Sequence, residues 1–296
     1  MKSADLLGLM EWSQQDNTER STAVAVDQWS SQTQGAGQYA EVNGINLYFE
    51  TQGTGRPLVL LHGGLGSGEM FGPILPALAA DRQVIAVDLQ GHGRTADIDR
   101  PLDIRLMADD IAALIDHLKL DKPDVVGYSL GGGVAMQTAF RHPTKMRKLV
   151  ALSANIRRDA IYAEMLGQQE QVGAAAAEFM KETPMYKDYV RVAPRPEDFS
   201  TLLTKIGQAM EKDFDFSDEV RNLQVPTLIA CADCDMAPPS HYVEIFKLLD
   251  GGVRDGGWMN EGRPKGGHAL AILPGLTHYS AGSSPLFAEA VLSFLA

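Results

Sequence analysis

Ser129 stands in the stretch VVGYSLGGGVA, two positions after Gly127 and two before Gly131. A G-x-S-x-G run between an apolar, β-like segment and a helix-like one suits a nucleophile held on a sharp strand-to-helix turn. Side chains at 127 and 131 would strike neighbouring backbone in such a turn, and glycine at both positions removes the collision. The serine also opens the helix, so unpaired N–H groups and the positive end of the helix dipole face any negative charge forming beside its hydroxyl. A serine hydroxyl is a weak nucleophile until a base takes its proton during attack, so a histidine must come from elsewhere in the chain.

The elements that must position this serine are legible as alternating strands and helices. QYAEVNGINLYFET reads as a hairpin closed by a primed turn at Asn43-Gly44. PLVLLHGG, QVIAVDLQ, DVVGYS, KLVALS, PTLIACAD and ALAILPG are short apolar runs, most of them β-branched and ending in Gly, Asp or Ser. Such runs suit strands buried on both faces of a parallel sheet. RLMADDIAALIDHLKL has apolar residues at helical spacing, and GGGVAMQTAFRH follows the serine as a second helix. A hairpin followed by repeated strand–helix units predicts an α/β fold, a mostly parallel sheet with helices on both faces. Residues 156–220 break the alternation with polar-helical, Met- and Ala-rich sequence and a proline-marked joint at VAPRPEDF, which predicts an inserted helical cap. The core is then expected in two parts, 38–155 and 221–296. Ahead of it, residues 1–37 are rich in Ser, Gln and Thr and read as a loosely attached extension, with one short amphipathic helix around Leu6 to Trp12.

The serine motif in this context, together with LLHGGLGSG and VDLQGHGRT, resembles the α/β-hydrolase superfamily, specifically its cap-bearing, esterase-like members, over about Tyr39 to Ala296. The resemblance implies the chain order Ser129, Asp235, His278 for nucleophile, acid and base. His278, in LPGLTHYSAG, follows the last predicted strand, where this family carries its base. Of the other histidines, His117, His142 and His241 lie in or beside helical segments and His268 precedes the last strand, while His62 and His92 belong to loop motifs. LIACADCDMAPPSH resembles the strand end that carries the acid, with Asp235 the expected residue and Asp233 the alternative. The loop after KLVALSAN, which supplies the acid in some relatives, offers Ser153 and Asn155 but no carboxylate.

By the same resemblance, the N–H groups of Gly64 and Leu130 form an oxyanion hole, with Leu65 the alternative donor. His62 braces that loop, and Asp88 with the glycines of VDLQGHGRT supports it. Thr95 stands where the family frequently has serine. Leu65, Tyr128, Met185, Tyr186 and Trp258 are expected to meet substrate, within a cap whose Met, Tyr and Phe residues could roof an apolar acyl or aryl group. Trp258 lies in a Gly-rich insertion, residues 251–268, for which an exposed mobile loop is the competing expectation.

Composition narrows the partner. The formal net charge is −12 with no basic cluster, which disfavours nucleic acid and anionic membrane surfaces and favours a neutral or weakly polar small molecule. No apolar run approaches the roughly 20 residues that cross a bilayer, and the N-terminus has no clear signal-peptide pattern, so a cytoplasmic protein is expected. Cys231 and Cys234 form a CxxC pair with no second pair beside it, and read as two reduced thiols at a strand end. The expected activity is carboxylesterase-like ester hydrolysis requiring no metal or organic cofactor. Lactone hydrolysis, carbon–carbon bond hydrolysis and perhydrolysis are alternatives that share the same triad, and ligand binding without turnover is a further one. A serine at the elbow argues against the haloalkane dehalogenases and epoxide hydrolases of the superfamily, which carry a carboxylate there.

Overall fold

The computed structural model describes residues 37–296. The extension expected over residues 1–37 and its short helix therefore lie outside the described residues, apart from Gly37. One sheet holds β1 (Gln38–Val42), β2 (Ile45–Gln52), β3 (Arg56–Leu61), β4 (Arg82–Val87), β5 (Asp124–Tyr128), β6 (Leu149–Leu152), β7 (Thr227–Cys234) and β8 (Ala269–Thr277), in the order β1-β2-β4-β3-β5-β6-β7-β8. β1 and β2 form the hairpin, and β2 runs antiparallel to β4; every further pairing is parallel. The hairpin turns at Asn43 (φ 47°) and Gly44 (φ 79°), the two left-handed residues that a primed turn requires.

The helices are α1 (Leu75–Leu78), α2 (Ile104–His117) and α3 (Leu130–Arg141); then, all between β6 and β7, α4 (Ala163–Gln169), α5 (Ala176–Met180), α6 (Pro184–Val192), α7 (Phe199–Met210) and α8 (Ser217–Arg221); then α9 (Pro239–Leu248), α10 (His278–Ala281) and α11 (Pro285–Leu295). None is long and apolar enough to cross a membrane.

The two-residue period of the strands builds two cores. Val59, Leu61, Val125, Leu149 and Ile229 face one side, with α2, α3 and α9. Leu58, Leu60, Val126, Val150 and Leu228 face the other, with α1 and α11. Burial on both faces is why these strands read as continuous apolar runs. α2 starts where Asp103 accepts the N–H of Arg105, and it buries Met107, Ile111, Leu114 and Ile115. In the segment between β6 and β7, α7 places Phe199, Leu202, Leu203 and Ile206 in the first core. Ion pairs add to that contact: Arg191 on α6 pairs with Glu69, and Lys205 on α7 reaches Asp97 Oδ2 at 2.6 Å and the carbonyls of Ile98 and Arg100 at 2.8 Å.

Two local expectations need correction. The final strand does not stop at Gly275 but runs through Thr277, so His278 is the first residue of α10 and not part of a loop. Pro274 is tolerated inside β8 because it falls where the register with β7 is interrupted, between the pairs Ala232–Leu273 and Cys234–Thr277, on an edge strand. Trp258 is fully exposed (101 %). Its loop joins the end of α9 to the start of β8, at the end of the sheet where parallel strands begin, whereas Ser129 follows the end of β5. Trp258 therefore cannot cover that serine.

Candidate active site

Ser129 takes φ 52° and ψ −115° between β5 and α3. This left-handed backbone is costly for a side chain by about 1–2 kcal/mol. The flanking glycines are sterically required. A Cβ on Gly127 would stand 2.1 Å from the Gly131 carbonyl oxygen, and one on Gly131 would stand 2.3 Å from that of Leu61. The turn is held by Ser129 N–H donating to Leu152 O (2.9 Å) and Gly131 N–H donating to His62 O (3.0 Å). The elbow is thus fastened to β6 on one side and to the end of β3 on the other.

β7 and β8 are neighbours, and their ends bring Asp235 and His278 together. His278 Nδ1 lies 2.7 Å from Asp235 Oδ1, and His278 Nε2 lies 3.0 Å from Ser129 Oγ. A carboxylate only accepts, so Nδ1 carries the proton and Nε2 is left bare toward the serine hydroxyl. Asp235 also receives Met236 N–H on Oδ1 (2.8 Å), and Ala232 N–H (3.1 Å) and the Ser153 hydroxyl (2.5 Å) on Oδ2. Burial would raise its pKa, but these donors and the adjacent imidazole outweigh burial and hold the carboxyl below the usual carboxylate range. Asp233 is exposed and instead accepts the N–H groups of Gly275 and Leu276, which ties β8 to β7 away from His278.

Among the described residues, the hydrogen bonds around the glycine loop leave several amides open, Ser67 N–H among them. Gly63 N–H donates to Met70 Sδ at 3.4 Å and Gly66 N–H to Gly63 O at 3.2 Å, while no acceptor takes the N–H of Gly64, Leu65 or Leu130. Leu130 is the first residue of α3, where amides are unpartnered by helix geometry. Leu65 has φ 59°, a left-handed backbone carried by a residue other than glycine.

His62 braces this loop. It accepts Leu89 N–H on Nε2 (3.0 Å) and lies 2.7 Å from Gly63 O through Nδ1; burial pushes its pKa down to about 4 and keeps it neutral. Asp88 accepts Gly68 N–H (2.7 Å) and Arg94 N–H (2.8 Å), and burial pushes its carboxyl up to about 6 against those donors. Thr95 donates to Asp88 O (2.7 Å) and accepts Tyr48 N–H (2.8 Å), uses that need only a hydroxyl.

Of the residues expected at the substrate, Tyr128 is placed otherwise. It sits on the α11 face of β5, buried, with its hydroxyl donating to His278 O at 2.6 Å and its ring 5.3 Å from the imidazole. It holds His278 from behind and has no face for substrate. Met185 is exposed (43 %) on α6, and Tyr186 packs edge-on against Phe199 at 5.0 Å. Leu65 is partly buried against the first core. The contacts of Tyr128 with His278 and of Ser153 with Asp235 have no signal in the sequence, where Tyr128 is the last residue of β5 and Ser153 the residue after β6. Among the described residues, no group of three or more His, Cys, Asp or Glu side chains is arranged to hold a metal ion.

Comparison with known proteins agrees with this architecture. Residues 56–182 match the family model described as alpha/beta hydrolase fold. A protein named as a carbamate hydrolase, RutD, from Azorhizobium caulinodans is 27% identical over 73% of this chain and 86% of its own. A pimeloyl-[acyl-carrier protein] methyl ester esterase from Neisseria meningitidis is 40% identical over 43% of this chain and 49% of its own. The solved structure of carboxylesterase CesB from Bacillus subtilis superposes with a TM-score of 0.67 at 20% identity, covering 93% of this chain and 97% of that one.

Proposed function

This chain belongs to the α/β-hydrolase family, and from that premise we propose that it is a carboxylesterase-like serine hydrolase acting on small, rather apolar esters. What carries the reading is His278, whose ring reaches Ser129 Oγ at 3.0 Å on one side and Asp235 Oδ1 at 2.7 Å on the other. In the proposed reaction His278 Nε2 takes the Ser129 proton as Oγ attacks the ester carbonyl, and the imidazolium is stabilised by the ionised Asp235. The open amides of Gly64 and Leu130 receive the oxyanion, a contribution of about 3–4 kcal/mol for each donor lost singly. His278 then protonates the leaving alcohol, and water repeats the sequence on the acyl-enzyme. Nucleophile, base and oxyanion donors all come from the chain, so these steps require no cofactor.

A neutral substrate fits the charge arrangement. The cations at the seam between α6–α7 and the core, Arg191 and Lys205, are already engaged by Glu69 and Asp97, and the net charge of −12 repels anions. A second reading, carbamate cleavage through the same attack, is favoured by the named activity of the Azorhizobium relative. The deciding assay is steady-state hydrolysis of p-nitrophenyl esters of increasing acyl length beside a p-nitrophenyl carbamate, for wild type and Ser129→Ala. Ester turnover that vanishes in the variant supports the proposal. Preference for the carbamate moves the assignment to the second reading, and turnover that survives in Ser129→Ala refutes both.

A further inference from the structure

We propose that Ser153 is a positioning residue of the relay, whose hydroxyl tempers the charge that Asp235 presents to His278. Ser153 lies just past β6, buried, at φ 54°. Glycine would adopt that backbone without cost, so a side chain there needs a compensating contact. The backbone is fixed by Ser153 N–H donating to Ala230 O at 2.8 Å, and the hydroxyl, 2.5 Å from Asp235 Oδ2, has an acceptor-only carboxylate as its partner. Asp235 then holds four donors, two per oxygen: His278 and Met236 on Oδ1, Ser153 and Ala232 on Oδ2. A short bond to an ionised acceptor draws charge away from the imidazole side.

Removing the hydroxyl leaves the N–H groups of Ala232 and Met236 to hold the carboxylate in place, so the main change is electrostatic. Asp235 then attracts the imidazolium more strongly, and His278 takes up its proton at higher pH. Cys234, the residue before Asp235, is an exposed free thiol. Burial raises Tyr128, Tyr242 and Tyr279 above the ordinary tyrosine range and Cys231 to about 12; Asp233 stays ionised, held low by the amides of Gly275 and Leu276; and burial keeps His241 neutral.

This inference rests on the serine-hydrolase reading only for its kinetic arm. The test compares wild type with Ser153→Ala and with Ser153→Gly, which relieves the left-handed strain and remains folded if alanine does not. Because the Cys234 thiol is free and exposed, wild type and both variants are also titrated with Cys234→Ser in the background. An NMR titration of His278 is expected to move upward by roughly half to one pH unit in both variants. The acid limb of kcat/KM follows by the same amount, and kcat at the plateau falls by about tenfold or less. An imidazole titration that stays in place or moves downward overturns the proposal, whether or not any ester is turned over. An unmoved titration with lowered kcat would make Ser153 merely structural and overturns it equally.

Discussion

Replacing Asp235 with asparagine isolates what the charge of that side chain does. The shape is nearly conserved, but all four groups around the carboxylate are donors: His278 Nδ1, Met236 N–H, Ala232 N–H and the Ser153 hydroxyl. An asparagine offers one acceptor oxygen and one NH2. If its oxygen faces His278 and Met236, the NH2 confronts Ala232 N–H, and only the Ser153 hydroxyl can turn to accept. If the NH2 faces His278, the ring must present a bare Nδ1 and carry its proton on Nε2, which disables it as a base toward Ser129. Either way the imidazolium loses its counter-charge, and the expected fall in kcat is up to about 10⁴, equivalent to about 5.4 kcal/mol of transition-state stabilisation. The unsatisfied donor contact costs a separate ~1–3 kcal/mol of fold stability. Ester kinetics at pH 8 and denaturant unfolding of the same sample separate the two effects. Asp233→Asn, on an exposed residue bonded only to backbone amides of β8, is the control and is expected to change kcat by less than about threefold. A loss under tenfold in Asp235→Asn, or an equal loss in Asp233→Asn, would refute the assignment of the acid.

The remaining predictions concern stability. Asp124, fully buried at the start of β5, is bonded by Arg82 at 3.1 Å and by Arg147 at 2.6 and 2.8 Å. Asp124→Ala strands a buried guanidinium and should cost about 3–5 kcal/mol, seen as a Tm lower by roughly ten degrees, with kcat of the folded fraction unchanged because the site is at the other end of the strand. Asp88, raised to about 6 by burial, holds a proton in the folded state at pH values where the unfolded chain has released it. Its contribution therefore makes stability fall as pH rises from about 4 to about 6 and stay level above, by on the order of 3 kcal/mol at most. Asp88→Asn removes that component, so wild type should lose stability relative to the variant between pH 4.5 and pH 7. A difference that is flat across that range would show that Asp88 stays ionised throughout.

How far sequence reaches depends on whether a constraint is local. The elbow at Ser129 is legible because the collisions that demand Gly127 and Gly131 arise within a few residues of the serine and with the strand end beside it. The strands are legible because burial on both faces leaves an unbroken apolar run, and the hairpin because Asn43-Gly44 alone can supply two left-handed residues. Asp235 and Asp233 are two residues apart at one strand end, and nothing in CADCD says which carboxylate meets an imidazole that arrives from β8.

The sequence by itself determined the fold class, the tight strand-to-helix turn at Ser129 and the order of the elements, since each follows from steric crowding or from hydrophobic periodicity. The tertiary structure alone decided which partners each side chain meets. Tyr128, adjacent to Ser129 in sequence, is turned by the strand's alternation to the α11 face, where it supports His278 from behind. Trp258 is carried to the far end of the sheet because its loop feeds a strand that runs parallel to its neighbour. Ser153 gains its contact with Asp235 only because β6 and β7 lie side by side, a pairing of residues 82 positions apart that strand order creates and no local pattern encodes.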